Sequence, residues 1–176
     1  MPHNRGLCFV SLRVMPYTPI VATLGYVLSP DGKQVLMIHR NARPGDQHLG
    51  KYNGLGGKME RDEDAAACMR REIREEAGIE CGTMRLRGTI SWPGFGKNGE
   101  DWFGFIFVID DYTGTPLTAN PEGSLEWVDL DQIEGLPLWE GDRSFLPLVF
   151  DDEPRAFHGV MPYRDGAMQS WSFTRL

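Results

Sequence analysis

Three glutamates, Glu72, Glu75 and Glu76, stand at i, i+3 and i+4 in the run Arg71-Glu72-Ile73-Arg74-Glu75-Glu76. On a helix these positions are neighbours, so one face presents three carboxylates within side-chain reach of each other. Like charges packed so closely repel, and the usual compensation is a hard divalent cation that takes oxygen ligands, Mg²⁺ above all or Mn²⁺ in its place. Arg70, Arg71 and Arg74 supply local counter-charge, and Arg71 is placed to hold one of the glutamates in a ligating rotamer. Upstream, Gly57 lets the backbone approach a cation closely and can offer its carbonyl, while Lys58 is the nearest cation for an anionic substrate. The chemistry these types and spacings suit is metal-assisted attack on a negatively charged substrate.

The element that must present the carboxylates is a helix over residues 62–77. Gly54, Gly56 and Gly57 favour a tight loop before it, the acidic residues from Glu60 to Asp64 complement the positive end of its dipole, and Gly78 suits a C-terminal cap. Ala66, Met69, Ile73 and Ala77 follow the spacing of a stripe that packs on a sheet, leaving the glutamate side to face a cleft. Glu63, about two turns ahead of the carboxylate cluster, reads as structural.

Around this helix the sequence reads as strands. Ile20–Leu28 and Gln34–His39 are joined by the turn signal Ser29-Pro30-Asp31-Gly32, and residues 41–50 form a polar loop. Further strands are expected at Met84–Trp92 and residues 102–110, with a Gly-rich connection over 93–100, and at residues 124–128. A second helix is expected over 143–150, and a closing hairpin over 157–163 and 169–174 around Asp165-Gly166. Strands surrounding helices without regular βαβ alternation indicate an α+β chain or an α/β/α sandwich, and periodicity alone does not choose between them.

At 176 residues, 41% hydrophobic and 24% charged, the chain suits one domain spanning residues 1–176, with residues 1–16 as a candidate N-terminal extension before the first strand. A net charge of −7 argues against grip on a nucleic-acid polymer. Cys8, Cys68 and Cys81 have no metal-ligand spacing and are odd in number, which fits reduced thiols and a cytoplasmic setting. No apolar run is long enough to span a membrane, and the stretch over residues 6–14, interrupted by Ser11 and Arg13, makes a poor signal peptide. His39, His48 and His158 form no ligand spacing and read as structural or solvent-exposed; Trp92, Trp102, Trp127 and Trp171 read as core or surface aromatics.

The segment from Gly57 to Ile79 resembles the Nudix box, G-x5-E-x7-R-E-U-x-E-E-x-G-U with U aliphatic. Every specified position agrees: Gly57, Glu63, Arg71, Glu72, Ile73, Glu75, Glu76, Gly78 and Ile79. That agreement and the glycine loop weigh against the ordinary reading of an acidic helix as a solvated, salt-bridged surface. Shorter matches at residues 50–58, Leu125-Glu126-Trp127-Val128, Leu138-Trp139 and Phe157-His158-Gly159 resemble the MutT-type 8-oxo-dGTP diphosphatases, from about Ile20 onward.

The resemblance implies the Nudix fold, an α/β/α sandwich with a mixed β-sheet. It also implies Mg²⁺- or Mn²⁺-dependent hydrolysis of oxidised purine nucleoside triphosphates to monophosphate and pyrophosphate, in a monomer or homodimer with a small-molecule nucleotide substrate. Glu72, Glu75 and Glu76 are the expected metal ligands and catalytic carboxylates with Arg71, joined by the Gly57 carbonyl. Glu122 matches a further family carboxylate that ligates metal or takes a proton from water, against its plain reading as a polar turn residue. For the base, Asn53 matches an amide contact, Trp139 a stacking aromatic that reads equally as core, and Asp142 a carboxylate that pairs with the purine edge. The family pattern that this region resembles, from the vertebrate lineage, has two adjacent acids where this chain has Gly141-Asp142. Two other readings are a Nudix hydrolase of nucleoside diphosphates, nucleotide sugars or dinucleoside polyphosphates, and a Nudix-derived module that binds a nucleotide without cleaving it, which would not need all three glutamates.

Overall fold

The computed structural model describes residues 16–46 and 48–176. The candidate extension, except residue 16, and Cys8 lie outside the described residues. In chain order the elements are β1 (Ile20–Leu28), β2 (Gln34–His39), β3 (Tyr52–Asn53), α1 (Ala65–Ala77), β4 (Glu80–Cys81), β5 (Met84–Trp92), β6 (Trp102–Ile109), β7 (Tyr112–Thr113), β8 (Ala119–Asn120) and β9 (Gly123–Asp129). A 3₁₀ turn (Leu130–Gly135), α2 (Glu140–Phe150), β10 (Phe157–Val160), β11 (Tyr163–Arg164), β12 (Ala167–Met168) and β13 (Ser172–Arg175) follow.

The main sheet runs β13-β10-β5-β6-β1-β2-β9-β8, with β3 added on β2. β1 is parallel to β6 and β10 to β5, and the other neighbours are antiparallel, so the sheet is mixed. Because side chains alternate across a strand, successive residues of β1 and β2 feed opposite faces. Val27, Leu36 and Ile38 pack with Met69, Ile73 and Ala77 of α1. Tyr26, Val35 and Met37 pack with Phe145, Leu146 and Val149 of α2. One helix on each face makes the α/β/α sandwich. No helix among the described residues is long and apolar enough to cross a membrane.

α1 begins three residues later than its charge pattern suggests. Asp64 is the N-cap, its Oδ1 accepting from the Ala67 N–H at 2.8 Å, and Glu63 is turned back to accept from the Glu60 N–H at 2.8 Å. Gly78 closes the helix at φ 70°, donating to the Arg74 carbonyl at 3.0 Å. The buried stripe is Cys68, Met69, Ile73 and Ala77, while Ala66 is exposed, so the expected stripe is rotated at its first position. α2 starts at Glu140 rather than residue 143. The closing hairpin is split at Pro162: β10 and β13 join the main sheet, while β11 and β12 form their own short ladder around Asp165 (φ 52°) and Gly166 (φ 77°).

The C-terminal end of α2 is held by a buried cation. Arg87, 4% exposed, lies where the β5–β6 register skips between Leu86 and Gly88. It donates to the carbonyls of Val149 at 2.8 Å, Asp151 at 2.9 Å and Glu153 at 2.9 Å, and to the Asp151 carboxylate at 2.8 Å. Helix-end carbonyls lack intrahelical donors, and here the guanidinium supplies them. Arg87→Met leaves those carbonyls unpaired and should lower the unfolding free energy in urea by about 2–4 kcal/mol. A loss under about 0.5 kcal/mol, the ordinary range for a surface substitution, would contradict this role.

Candidate active site

The segment 54–59 runs alongside β1 and sets the first wall of the site. Leu55 and Gly25 exchange backbone hydrogen bonds at 2.9 and 2.6 Å, and the Thr23 N–H donates to the Gly57 carbonyl at 2.9 Å. This close approach needs glycine: at Gly56, with φ 143°, a Cβ would lie 2.2 Å from the Thr23 carbonyl oxygen. The pairing leaves Gly57 and Lys58 at the rim of a cavity of about 470 Å³ that passes between the two helices' ends.

Gly57, Lys58, Glu76, Arg40 and Glu122 are among the residues that line the cavity. Glu76 accepts from the Gly56 N–H at 2.8 Å. Burial pushes its carboxyl up to about 8, with the Glu122 and Glu72 charges adding to the rise and the Gly56 bond opposing it. Glu72 lies beneath the glycine loop, where a Cβ on Gly57 would sit 2.5 Å from its Oε1. Burial raises its pKa as well, against the pull of Arg71. Arg71 donates to Glu72 at 2.8 Å and approaches Glu75 at 3.4 Å, while Nε and Nη2 grip Glu63 at 3.0 and 2.6 Å. Those bonds hold the Glu63 carboxyl down at about 2, so the structural reading of Glu63 agrees with its geometry.

The three glutamates therefore share a helix face without converging. Arg71 draws Glu72 and Glu75 to one side, and Glu75 is mostly exposed, whereas Glu76 alone of the three lines the cavity. Among the described residues, no three His, Cys, Asp or Glu side chains stand together as a ready metal-ligand group. The donor chemistry still suits a hard cation. Glu72, Glu76, Glu122 and the Gly57 carbonyl are all oxygen donors, and Glu76 carries the raised pKa of a carboxylate short of positive charge.

Glu122 reaches the cavity from the turn between β8 and β9. It is paired with Arg40, which also grips Asp46 at 2.7 and 2.9 Å, and with Arg43 at 3.2 Å. Asn120 fixes the turn: its Oδ1 accepts from the Glu122 N–H at 2.8 Å, and its Nδ2 donates to the Glu76 carbonyl at 3.2 Å. The loop that carries Glu122 is thus tied to the helix that carries Glu76.

The same cavity is lined by Asn53, Trp139 and Asp142, together with Tyr26, Trp92 and Tyr163. Asn53 Oδ1 is buried with no hydrogen-bond partner among the described residues, an uncommon state for a buried amide unless a ligand completes it. Trp139, half-buried, donates from its indole to His48 Nδ1 at 2.9 Å, and the Lys51 ammonium lies 5.4 Å from its ring. Asp142 touches cavity solvent yet is walled by protein, and burial pushes its carboxyl up to about 7.

Several cavity residues escape a reading by sequence. His48, Trp92 and Trp102 border the cavity. Trp92 and Trp102 are cross-strand partners at the ends of β5 and β6, so pairing those strands across residues 93–100 would have placed both at one rim. Arg40 and Tyr163 carry no local motif.

Comparison with known proteins is consistent with this geometry. Residues 18–149 match the NUDIX domain family model. The chain is 33% identical over 141 residues to the Nudix hydrolase YvcI of Bacillus subtilis, covering 78% of this chain and 83% of that protein. It is 34% identical over 115 residues to the oxidized purine nucleoside triphosphate hydrolase of Danio rerio, covering 65% and 71% respectively. Its fold superposes on a MutT protein from Bacillus halodurans with a TM-score of 0.74 at 29% identity, covering 87% of this chain and 96% of that one. With the box intact on α1 and the sandwich around it, the chain belongs to the Nudix hydrolases, enzymes that act on nucleoside phosphates and generally use divalent metal cations.

Proposed function

We propose that this enzyme is a nucleoside triphosphate pyrophosphohydrolase acting on purine nucleotides, oxidised guanine nucleotides such as 8-oxo-dGTP included, and so clears damaged precursors from the nucleotide pool. The observation that carries this reading is the mixed lining of one cavity. Gly57, Lys58, Glu76 and Glu122 line it together with the unpartnered Asn53 amide, Trp139 and Asp142. A polyphosphate suits the charged groups and a flat heterocycle with polar edges suits the amide and the aromatic ring. The names of the relatives that hydrolyse oxidised purine nucleoside triphosphates support it.

A pyrophosphate linkage resists attack because its oxygens are already negative, so catalysis depends on neutralising charge and presenting a water in line with the leaving group. Glu72, Glu75, Glu76, Glu122 and the Gly57 carbonyl would hold Mg²⁺ or Mn²⁺, whose contribution when bound is charge neutralisation at the polyphosphate. Lys58 adds positive charge to the same oxygens. Glu76 or Glu122, both on the cavity wall, takes the proton of the attacking water. Arg71 keeps Glu72 oriented beneath the glycine loop. Trp139 offers a face for stacking, Asn53 an acceptor, and Asp142 a carboxyl that holds its proton to near neutral pH and can donate to the base.

Two outcomes are expected. With Mg²⁺, a panel of 8-oxo-dGTP, dGTP, dATP, a nucleotide sugar and a dinucleoside polyphosphate should give its highest kcat/KM on the purine triphosphates, with pyrophosphate as product. Fastest turnover of a nucleotide sugar or dinucleoside polyphosphate would reassign the substrate. The second concerns Asp142. Its proton is held in the folded protein up to about pH 7, but leaves the unfolded chain near the usual aspartate value of about 3.9. Between those limits the folded state binds more protons, so this group's contribution to stability falls as pH rises. Metal-free Asp142→Asn should therefore exceed the wild type in urea resistance by roughly 1 kcal/mol or more at pH 8, with the gap narrowing towards pH 5. A gap independent of pH would contradict the burial of this carboxyl.

A further inference from the structure

Gly141, buried in the first turn of α2 beside Asp142, has no room for a side chain. A Cβ there would lie 2.4 Å from the Tyr163 hydroxyl oxygen and 2.6 Å from Met161 Sδ. The phenol of Tyr163 therefore fills the space that a side chain at residue 141 would take. Its hydroxyl meets Met161 Sδ at 3.4 Å, and a thioether is a weak acceptor. The strong hydrogen-bonding capacity of the phenol is left for the cavity that Tyr163 and Asp142 both line.

The aim of this phenol is set by its surroundings. The Phe95 ring meets it edge-on at 5.1 Å, and the Tyr163 N–H donates to the Pro93 carbonyl at 2.7 Å. At Gly94, where φ is 72°, a Cβ would stand 2.6 Å from the Tyr163 carbonyl oxygen, so the loop after β5 and the β11–β12 ladder are pressed together. Burial, with the charges of Asp142 and Glu140 nearby, pushes the phenol up to about 12 and keeps its proton on. The phenol keeps its proton and spends it on a weak thioether acceptor, so a ligand's carbonyl oxygen can take it over.

We propose that the Tyr163 hydroxyl is a specificity-determining donor that reads a carbonyl oxygen on the edge of the bound purine, beside Asp142. It thereby favours 6-oxopurine over 6-aminopurine nucleotides. The inference rests on the reading of this cavity as a purine nucleotide site. Loop and ladder hold the group rigidly, so discrimination comes at little ordering cost when the ligand binds.

The test is the ratio of kcat/KM for dGTP to that for dATP in the wild type, Tyr163→Phe and Gly141→Ala, with dCTP as a reference. Tyr163→Phe removes one oxygen from a well-packed ring, and the ratio should fall about 3- to 10-fold, the worth of one hydrogen bond. dCTP should be unaffected. Gly141→Ala, which displaces the hydroxyl, should lower the ratio in the same direction and add little in the Tyr163→Phe background. An unchanged ratio in Tyr163→Phe, or an equal loss on all three nucleotides, would overturn the assignment. Should the wild type turn over neither purine triphosphate, the purine reading itself falls and takes this inference with it.

Discussion

The site depends first on the grip of Arg71 on Glu63. Their paired bonds tie the glycine loop to α1, because Glu63 also accepts from the Glu60 N–H and Arg71 also donates to the Lys58 carbonyl at 3.2 Å. A fork of donors meeting a carboxylate fixes orientation as well as distance. On α1 the clamp is joined by Glu76, which accepts from the Gly56 N–H, and together they hold the loop against the helix above Glu72. The same guanidinium steers Glu72, so one side chain orders both the loop backbone and the carboxylate beneath it.

The residues that α2 brings have a separate support. Asp142 and Trp139 ride on the start of α2, and α2 is anchored at its C-terminal end by Arg87, buried at the register skip of β5. Asn53 comes from the short strand β3, whose pairing with Ile38 and His39 places it beside β2. Two elements distant in sequence thus bring Asn53, Trp139 and Asp142 to the cavity, while Gly57, Lys58 and Glu76 come from one helix and the loop before it. Asn120, bonded both to the Glu122 turn and to the Glu76 carbonyl, links the sheet edge to that helix.

This division explains what could be read from the chain alone. The cap Gly78, the carboxylate spacing and strands β1, β2 and β5 are local patterns, and each is where the spacing of residues puts it. Arg87 carries no local signal, because its carbonyl partners lie some sixty residues away, Val149 being 62 positions on. Arg40, Asn120 and Tyr163 were silent for the same reason. Ala66 was misplaced because a small residue fits either face of a helix, and the buried place went to Cys68. The glutamates were expected as one cluster from spacing alone. Arg71 and the Gly56 N–H, competing for them, decide that only Glu76 enters the cavity.

The central claim is that the raised, cavity-facing carboxylate of Glu76 belongs to a site for a divalent cation. Mn²⁺ binding, followed by electron paramagnetic resonance of the free ion in wild type, Glu76→Gln and Glu60→Gln, tests it most directly. The account predicts that Glu76→Gln weakens Mn²⁺ by about 10-fold or more, as loss of an oxygen ligand should, while Glu60→Gln, outside the site, binds as the wild type does. Equal Mn²⁺ affinity in wild type and Glu76→Gln, with both folded, would contradict it.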